Sequence, residues 1–297
     1  MIKINSSHQQ LNCAGKTLDL SVPAVMGILN LTPDSFSDGG HLYSRHQLSK
    51  DKILHKVEKM LDDGAHIIDL GGESTRPGAN PVSVQEELDR VIPILEVLRE
   101  RFDAFFSVDT STPEVITAAA QAGAHLINDV RALRREGALQ SAAISGLPIC
   151  LMHMQNDPQN MQQNPQYNDV VNDILEFLKQ RKHQCLAAGI GDHQLLLDPG
   201  FGFGKTLAHN LSLFNALEIF AKEGHPLVIG ISRKSMVGQL LDVDIDDRLI
   251  GSVTMAVLAA EKIQAAGGTV ILRVHDVKET VQALTILQKV NQSKGNR

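Results

Sequence analysis

The chain has 297 residues, of which 43% are hydrophobic, and it carries a formal net charge of −6 with a pI near 6.0. This charge argues against nucleic-acid binding and against general binding to a membrane surface, although it is compatible with a local positive pocket for a small anion. Three scattered cysteines lack CxxC spacing, no signal peptide is visible, and no apolar run reaches the roughly 18 residues of a membrane span. We therefore expect a cytoplasmic protein with reduced thiols and without nucleic-acid or membrane partners.

An apolar run at residues 25–29 is too short for a helix and predicts a strand that is buried on both faces. The run ends at Asn30. The connection that follows, residues 31–48, is polar, is broken by Pro33, Gly39 and Gly40, and shows no periodicity. Connections longer than about 12–15 residues are uncommon in compact domains unless they are functional or disordered. We therefore expect Asn30 to lie in a site that this loop covers.

Seven more apolar runs follow, and a helical pattern comes after each of them. The predicted strands are residues 66–70, 104–108, 125–127, 148–151, 194–197, 227–231 and 269–272. The predicted helices are residues 49–63, 84–98, 113–123, 136–145, 170–188, 211–221, 236–241 with 248–266, and 277–290. This alternation predicts an α/β fold, a single (β/α)8 TIM barrel, with a doubly wound open sheet as the alternative. We assign residues 22–292 to the barrel and residues 1–21 to a short N-terminal extension or hairpin over its bottom.

Each predicted strand ends at a side chain that can form strong hydrogen bonds. In chain order these are Asn30, residues 73–76, Asp109, Asn128, His153, Asp198, residues 232–234, and Arg273 with His275. All strand ends of a closed barrel meet at one face, where barrel enzymes carry their sites. For any single residue, the solvation of a loop start explains the polarity equally well. The set as a whole favours a site, because it is rich in carboxylates, carboxamides and cations.

The strand ends indicate a ligand with two different halves. The acidic and amide members are Asp109, Asn128 and Asp198. The cationic members are Arg76, Lys234 and Arg273, with His275 beside them. The first group suits a flat heterocycle with N–H donors and ring acceptors, and the second suits a phosphate or diphosphate, with Asn30 free to offer an oxygen to Mg²⁺. The residues therefore predict a planar nitrogenous ring that bears a phosphorylated arm.

A glycine-rich turn at residues 200–206 follows the sixth predicted strand. Pro199 stands where a Walker A loop needs glycine, and Lys205 stands where a dinucleotide-binding fingerprint needs glycine. Two interpretations remain open: a turn that needs positive φ, or a turn that lets the backbone approach a ligand, with Phe203 as a wall. His153 has no second ligand nearby, so a metal role for it is the less favoured interpretation.

With these residues assembled, the chain resembles the dihydropteroate synthase family of folate biosynthesis over residues 23–290. The matching segments are M-G-I-L-N-L-T-P-D-S-F-S-D-G-G, G-G-E-S-T-R-P-G-A, S-V-D-T, I-N-D-V, L-M-H-M-Q, L-D-P-G-F-G-F-G-K, S-R-K-S and R-V-H-D-V. The resemblance implies a (β/α)8 transferase that condenses (7,8-dihydropterin-6-yl)methyl diphosphate with 4-aminobenzoate to give 7,8-dihydropteroate and diphosphate. It also implies Mg²⁺ as cofactor and a homodimer formed through outer helices late in the chain.

The resemblance further implies roles for individual residues at the matching motif positions. The residues implied to hold the pterin ring are Asp109, Asn128, Asp198 and Lys234. Those implied to bind Mg²⁺ and the diphosphate are Asn30 for the metal, and Arg273 with His275 for the anion. Those implied near 4-aminobenzoate and the substrate arm are Thr75, Arg76, Pro77, Phe203 and Ser235, a region where sulfonamides also bind in this family. The residues implied to be catalytic are Arg76, Lys234, Arg273 and His275.

We expect a dissociative substitution, in which the carbon–oxygen bond at the pterin methylene breaks before the arylamine attacks. Two other readings stay open. A tetrahydrofolate-dependent methyltransferase domain shares the ring contacts but needs no cation cluster, so S-R-K-S and R-V-H-D-V argue against it. A non-catalytic pterin-binding paralogue keeps only the scaffold, and the intact loops at residues 32–40 and 73–78 argue against that reading.

Overall fold

Parallel strands form a closed barrel at the centre of the fold, and helices surround it. The computed structural model describes residues 9–32, 43–44, 47–75, 78–157 and 160–294. The strands are β1 (Gln10–Cys13), β2 (Lys16–Asp19), β3 (Ala24–Asn30), β4 (Tyr43–Ser44), β5 (Gln47–Leu48), β6 (Ile67–Gly71), β7 (Phe105–Asp109), β8 (Leu126–Asp129), β9 (Ile149–Met152), β10 (Leu195–Asp198), β11 (Leu227–Ile229) and β12 (Val270–Val274). The helices are α1 (Lys50–Asp62), α2 (Val84–Arg101), α3 (Pro113–Gln121), α4 (Ala138–Ser145), α5 (Val170–Ala187), α6 (Leu207–Asn215), α7 (Leu217–Ala221), α8 (Ser235–Leu241), α9 (Leu249–Ala265) and α10 (Val277–Lys294).

The barrel runs in the order β3-β6-β7-β8-β9-β10-β11-β12 and closes where β12 pairs with β3. Every pairing in it is parallel. Parallel strands are covered on both faces, which explains why they read as continuous apolar runs in the sequence. The predicted (β/α)8 barrel is confirmed, and its closure excludes the doubly wound open sheet.

The antiparallel hairpin β1–β2 covers the N-terminal end of the barrel. Its turn places Ala14 at φ +54° and Gly15 at φ +86°, the two left-handed conformations that a two-residue hairpin turn favours. The hairpin and the strand starts share one apolar cluster, made of Leu11, Cys13, Leu18, Leu20, Ala24, Met26, Ile67, Leu126, Cys150, Leu196, Val228 and Ile271. Because apolar side chains fill this end, polar ligands must approach the barrel from the carboxyl ends of its strands.

The helices cover the outside of the barrel with one apolar face each. In α1, the buried residues Ile53, Val57 and Met60 follow one another at intervals of four and three, which places them on one side of the helix. No helix in the described ranges has both the length and the apolar composition that crossing a membrane requires.

Two elements differ from the sequence prediction. The connection at residues 31–48 contains the short antiparallel pair β4–β5, while residues 33–42, 45 and 46 of that predicted loop lie outside the described residues. The helix predicted over 211–221 begins earlier, because the Thr206 hydroxyl accepts the His209 N–H at 3.2 Å and caps α6. It also divides at Ala216 into α6 and α7. The sequence prediction missed the first turn of this helix because the polar residues His209 and Asn210 interrupt the apolar pattern.

Candidate active site

A cavity of about 320 Å³ opens at the carboxyl ends of the barrel strands. The predicted site residues that line it are Asn30, Thr75, Asp109, Phe203, Lys234, Ser235, Arg273 and His275. They come from strand ends and loops throughout the sequence, and barrel closure brings them together. The volume is in the range of sites that enclose a small ligand, about 300–1,000 Å³. Arg76 and Pro77, which were predicted to belong to the same site, lie outside the described residues.

Two of the predicted ring-binding residues, Asn128 and Asp198, are buried and do not line the cavity. Asn128 is 3% exposed, and its Nδ2 donates to Asp69 Oδ2 at 3.2 Å. Asp198 is 5% exposed, and its Oδ1 accepts the Gly200 N–H at 2.7 Å. Asn128 therefore contacts the buried Asp69, Asp198 contacts the backbone of the glycine-rich turn, and contact of either with a pterin ring stays a prediction.

Arg273 joins the acidic and the cationic parts of the site. Its Nε donates to Asp69 Oδ2 at 2.6 Å, and its Nη2 donates to Asp109 Oδ2 at 2.8 Å. Hydrogen bonds between charged partners of this kind are short and strong. The sequence analysis assigned the acidic and the cationic residues to two different halves of a ligand. That separation fails for Arg273, because its long side chain extends from β12 to the acids of β6 and β7.

Asp69 is the member of this network that the sequence did not single out. It lies within the apolar run I-I-D-L of β6 and is fully buried, so only its tertiary partners distinguish it from a core position. Its Oδ1 has no hydrogen-bond partner within the described residues. Burial raises the pKa of Asp109, and the neighbouring carboxylate of Asp69 raises it further, whereas Arg273 acts to lower it. The acids at the centre of the barrel therefore stand in a strongly negative environment that one guanidinium partly neutralises.

Lys234 precedes α8 and faces the glycine-rich turn. Its Nζ donates to Phe201 O at 2.5 Å and lies 4.4 Å from the centroid of the Phe203 ring, within the range of a cation–π contact. Burial lowers the pKa of Lys234 to about 8, although the carboxylate of Asp198 acts to raise it. A lysine whose pKa lies so close to neutral, in a cavity, is typical of a functional site.

Two side-chain links hold the end of β11 against the end of β12. The backbone N–H of His275 donates to Ser232 Oγ at 3.1 Å, and the same oxygen lies 3.2 Å from His275 Nδ1. The Ser232 hydroxyl can donate its proton to Nδ1 when the His275 ring carries its own proton on Nε2, and it can accept from Nδ1–H in the other tautomer. Beside this link, Arg233 donates to both carboxylate oxygens of Asp276, at 3.0 and 2.5 Å. The cationic end of the site is thus held in a fixed arrangement.

The start of the loop that follows β6 is anchored by two arginine side chains. Arg131 donates to both carboxylate oxygens of Glu73, at 2.8 and 3.1 Å. Arg90 Nη1 donates to Gly72 O at 2.8 Å. Two-point contacts of this type fix orientation as well as distance. The described part of this loop, which includes Thr75, therefore meets the cavity in a defined position.

The glycine-rich turn contributes to the cavity through Gly202 and Phe203. Gly202 has φ +80°, and a Cβ at this position would lie 3.1 Å from Lys234 Cδ. The turn therefore needs positive φ and also lets Lys234 approach its backbone, and approach of a ligand to the same backbone stays a prediction. Residues that the sequence did not suggest also line the cavity: Met161, Gln162 and Ile245.

The donor set fits a metal that arrives with a phosphorylated ligand better than a resident one. Within the described ranges, no group of three or more His, Cys, Asp or Glu side chains is arranged to hold a metal ion. His153 Nδ1 lies 2.9 Å from Lys205 Nζ, which explains the histidine as a hydrogen-bond partner. Asn30 lines the cavity and offers one carboxamide oxygen. Mg²⁺ usually keeps several waters and combines one or two protein oxygens with substrate phosphates, so Asn30 is compatible with that ion.

Comparison with known proteins agrees with this geometry. The sequence profile described as "Pterin binding enzyme" matches residues 26–275. The chain is 52% identical over 288 residues to dihydropteroate synthase of Escherichia coli strain K12, a match that covers 97% of this chain and 99% of the relative. This protein therefore belongs to the pterin binding enzyme family.

Solved structures of relatives have the same fold. The dihydropteroate synthase of Yersinia pestis, in complex with a sulfonamide drug, is 55% identical, has a TM-score of 0.89, and matches over 96% of this chain and 99% of that one. The dihydropteroate synthase of Xanthomonas albilineans, with 4-aminobenzoic acid, is 44% identical with a TM-score of 0.86, over 96% of this chain and 98% of that one. The resemblance inferred from the strand-end motifs is confirmed.

Proposed function

We propose that this chain is a transferase of tetrahydrofolate biosynthesis that catalyses the reaction for which its relatives are named. It condenses (7,8-dihydropterin-6-yl)methyl diphosphate with 4-aminobenzoate to give 7,8-dihydropteroate and diphosphate. The observation that carries the proposal is the single cavity in which Asp109, Lys234, Arg273 and His275 meet. Such a cavity offers hydrogen-bond acceptors for a ring and donors for an anion a few ångströms apart.

The ring half of the substrate is assigned to the acidic and amide side chains. The proposed ring contacts are Asp109, Asn128, Asp198 and Lys234. Buried carboxylates beside a guanidinium and an ammonium group match a heterocycle that has both N–H donors and ring acceptors. The buried Asp69 Oδ1, which lacks a partner within the described residues, is a further acceptor on this side.

The diphosphate is assigned to Arg273 and His275. With its proton on Nε2, His275 donates to an anionic oxygen, and Arg273 adds a guanidinium whose positive charge the neighbouring carboxylates secure. Arg76 is proposed to act at the same centre, although it lies outside the described residues. When Mg²⁺ is bound, Asn30 would hold it, and the ion would neutralise charge on the departing diphosphate.

The bond changes fit a dissociative course. The carbon–oxygen bond at the pterin methylene breaks, and its electron pair leaves with the diphosphate. Positive charge then grows on the methylene and spreads into the ring, where the carboxylates of Asp69 and Asp109 favour it. The amine nitrogen of 4-aminobenzoate attacks the methylene and loses a proton to solvent. A strong general base is not needed, because the electrophile is already cationic.

The 4-aminobenzoate half is assigned to Thr75, Phe203 and Ser235, with Pro77 outside the described residues. Phe203 provides an aromatic wall, and Ser235 offers a hydroxyl and a backbone N–H at the start of α8. The relatives from Yersinia pestis and Xanthomonas albilineans, bound to a sulfonamide and to 4-aminobenzoic acid, support this assignment and the proposal that sulfonamides bind this chain.

A turnover assay with both substrates tests the proposal. We expect dihydropteroate and diphosphate in equal amounts, and loss of kcat/KM by more than about tenfold, or 1.4 kcal/mol, in Lys234→Ala and in Arg273→Ala. Lys262→Ala, on the exposed side of α9, is the control and should keep wild-type kinetics. Absence of product with wild-type protein would favour the non-catalytic paralogue. Methyl transfer from a folate to an acceptor would favour the methyltransferase reading.

The order of bond breaking has its own test. In a dissociative course, diphosphate appears from the pterin substrate without 4-aminobenzoate, as water captures the cation. Strict first-order dependence of bond breaking on the amine concentration would contradict that course.

We also propose a homodimer that forms through the late outer helices. Ile250 on α9 is 75% exposed and Ile286 on α10 is 66% exposed, and exposed apolar side chains on neighbouring helices suit a protein contact. Light scattering should give twice the 32.3 kDa chain mass, and Ile250→Lys should shift it towards the monomer. A monomer in the wild-type sample would contradict the proposal.

A cytoplasmic location is supported by three buried free thiols, Cys13, Cys150 and Cys185.

A further inference from the structure

Lys205, at the end of the glycine-rich turn, is buried in an unusual environment for a lysine. Only 4% of its surface is exposed. Its Nζ lies 2.8 Å from Gly200 O, 3.0 Å from Phe203 O and 2.9 Å from His153 Nδ1. The carbonyl oxygen of His153 lies farther away, at 3.5 Å, and none of these partners is a carboxylate, although the charge of Asp198 acts on the amine without a hydrogen bond. Lysines are rarely buried this fully without a carboxylate in direct contact, so the contacts of this amine need an explanation.

The three contacts connect the turn to the neighbouring strand. Gly200 and Phe203 stand at the two ends of the tight part of the turn, so one amine holds both ends. His153 directly follows β9, the strand beside β10 in the barrel. The fit is close, because a Cβ on Gly200, which has φ +71°, would lie 1.8 Å from His153 O. Lys205 therefore fixes the turn to the end of β9 as well as closing it.

The arrangement is satisfied in either charge state of the amine. Burial lowers the pKa of His153 to about 2, so its ring is neutral under physiological conditions. A protonated Lys205 donates to all three partners, whereas a neutral amine donates to the two carbonyls and accepts from Nδ1–H. Burial also lowers the pKa of Lys205, but the geometry does not depend on its charge.

The part of the turn that Lys205 holds is the part that faces the ligand. The Phe203 carbonyl accepts from the lysine, while the Phe203 ring lines the cavity and lies 4.4 Å from Lys234 Nζ. Gln162 Nε2 donates to Gly202 O at 2.5 Å from the opposite side. The position of the aromatic wall thus depends on an amine that does not itself line the cavity.

We propose that Lys205 is a positioning residue that sets the Phe203 wall of the 4-aminobenzoate half-site. This inference rests on the proposed function, because it assigns that half-site to Phe203. It differs from a purely stabilising role in one respect: loss of the amine should change the use of one substrate more than the other.

Steady-state kinetics of Lys205→Met tests the proposal. We expect KM for 4-aminobenzoate to rise by about tenfold or more, since displacements of about 1 Å in a site cost up to about a hundredfold. KM for the pterin diphosphate should change by less than about threefold. The matched control is Lys182→Met, because Lys182 Nζ also contacts a histidine, His225 Nε2 at 2.9 Å, but at the other end of the barrel. The control should keep wild-type values for both substrates.

A double-mutant cycle separates action through Phe203 from an independent effect. Phe203→Ala alone should raise KM for 4-aminobenzoate, and adding Lys205→Met to it should raise KM by less than about twofold more. Equal changes in the KM values of both substrates, or fully multiplicative effects of the two substitutions, would overturn the proposal.

Folding of the variants is monitored by thermal unfolding. If Lys205→Met does not fold, Lys205→Gln is measured instead, because its amide can still donate to one carbonyl. Failure of both variants to fold would assign the lysine to stability alone and overturn the proposal. If wild-type protein makes no dihydropteroate, the proposed function fails; if wild-type protein is active and Lys205→Met retains its KM for 4-aminobenzoate, this inference alone fails.

Discussion

Replacing Gly202 with alanine examines how closely the glycine-rich turn and Lys234 depend on each other. The substitution has two separable costs. Alanine at φ +80° pays about 1–2 kcal/mol for a left-handed conformation. The new Cβ also stands 3.1 Å from Lys234 Cδ, which must retreat by a few tenths of an ångström. That movement disturbs the 2.5 Å hydrogen bond from Lys234 Nζ to Phe201 O.

Comparison with Gly189→Ala isolates the second cost, which is the contact between the new Cβ and Lys234. Gly189 has φ +91°, and a Cβ there would meet nothing within 4 Å, so this variant carries the backbone strain without the contact. Both variants should lose about 1–2 kcal/mol from backbone strain in denaturant unfolding, and Gly202→Ala should lose more because Lys234 must also move. Only Gly202→Ala should lose kcat/KM, by roughly fivefold to thirtyfold, because a small displacement in a site costs a fraction of the hundredfold expected for 1 Å. Equal kcat/KM in the two variants would refute the dependence of Lys234 on this turn.

Three more predictions follow from the charged and buried groups. Asp69→Asn should lower kcat/KM by about tenfold or more, because Arg273 and Asn128 lose the carboxylate that orients them; unchanged steady-state kinetics would remove Asp69 from the site. If protonated Lys234 is required, kcat/KM should fall above pH 8, the region of its lowered pKa, and Lys234→Arg should move that limb upward; a flat profile from pH 7 to 9 would contradict this. Burial lowers the pKa of His125 to about 4, so the folded state binds fewer protons than the unfolded state between pH 6.5 and 4. The free energy of unfolding should therefore fall as the pH falls through that window, by up to about 1.4 kcal/mol per pH unit. Chemical denaturation at several pH values should show this slope, and His125→Gln should reduce it.

The fold was predictable from the sequence because each layer of a barrel leaves a local signature. Parallel strands buried on both faces give short apolar runs, and each run here ends within two residues of the end of its strand, as at Asn30 and Asp109. Because all strands of a parallel barrel end at the same face, the polar residues at the strand ends were expected together, and they make up most of the residues that line the cavity. The division of α6 from α7 was not predictable, because Ala216 favours a helix and no glycine or proline marks the break.

The contacts within the site were harder to predict. Asp69 sits in an apolar run, and its partner Arg273 is 204 residues away, so no local pattern connects them. In the sequence, Lys205 served only to exclude a dinucleotide-binding fingerprint. Its burial could not be predicted, because its partners are two carbonyls of the turn and His153, which follows a different strand. Gln162 and Ile245 reach the cavity from outside the barrel strands and follow no periodicity. Interactions between segments distant in sequence, rather than local propensities, decided these positions.

A crystal structure with a dihydropterin methylene diphosphate analogue that resists cleavage tests the central claim most directly. We expect the ring to contact Asp109, Asn128, Asp198 and Lys234, and the diphosphate to contact Arg273 and His275, in the cavity at the carboxyl ends of the strands. A ring bound elsewhere on the chain, or a diphosphate that does not contact Arg273 and His275, would contradict the account.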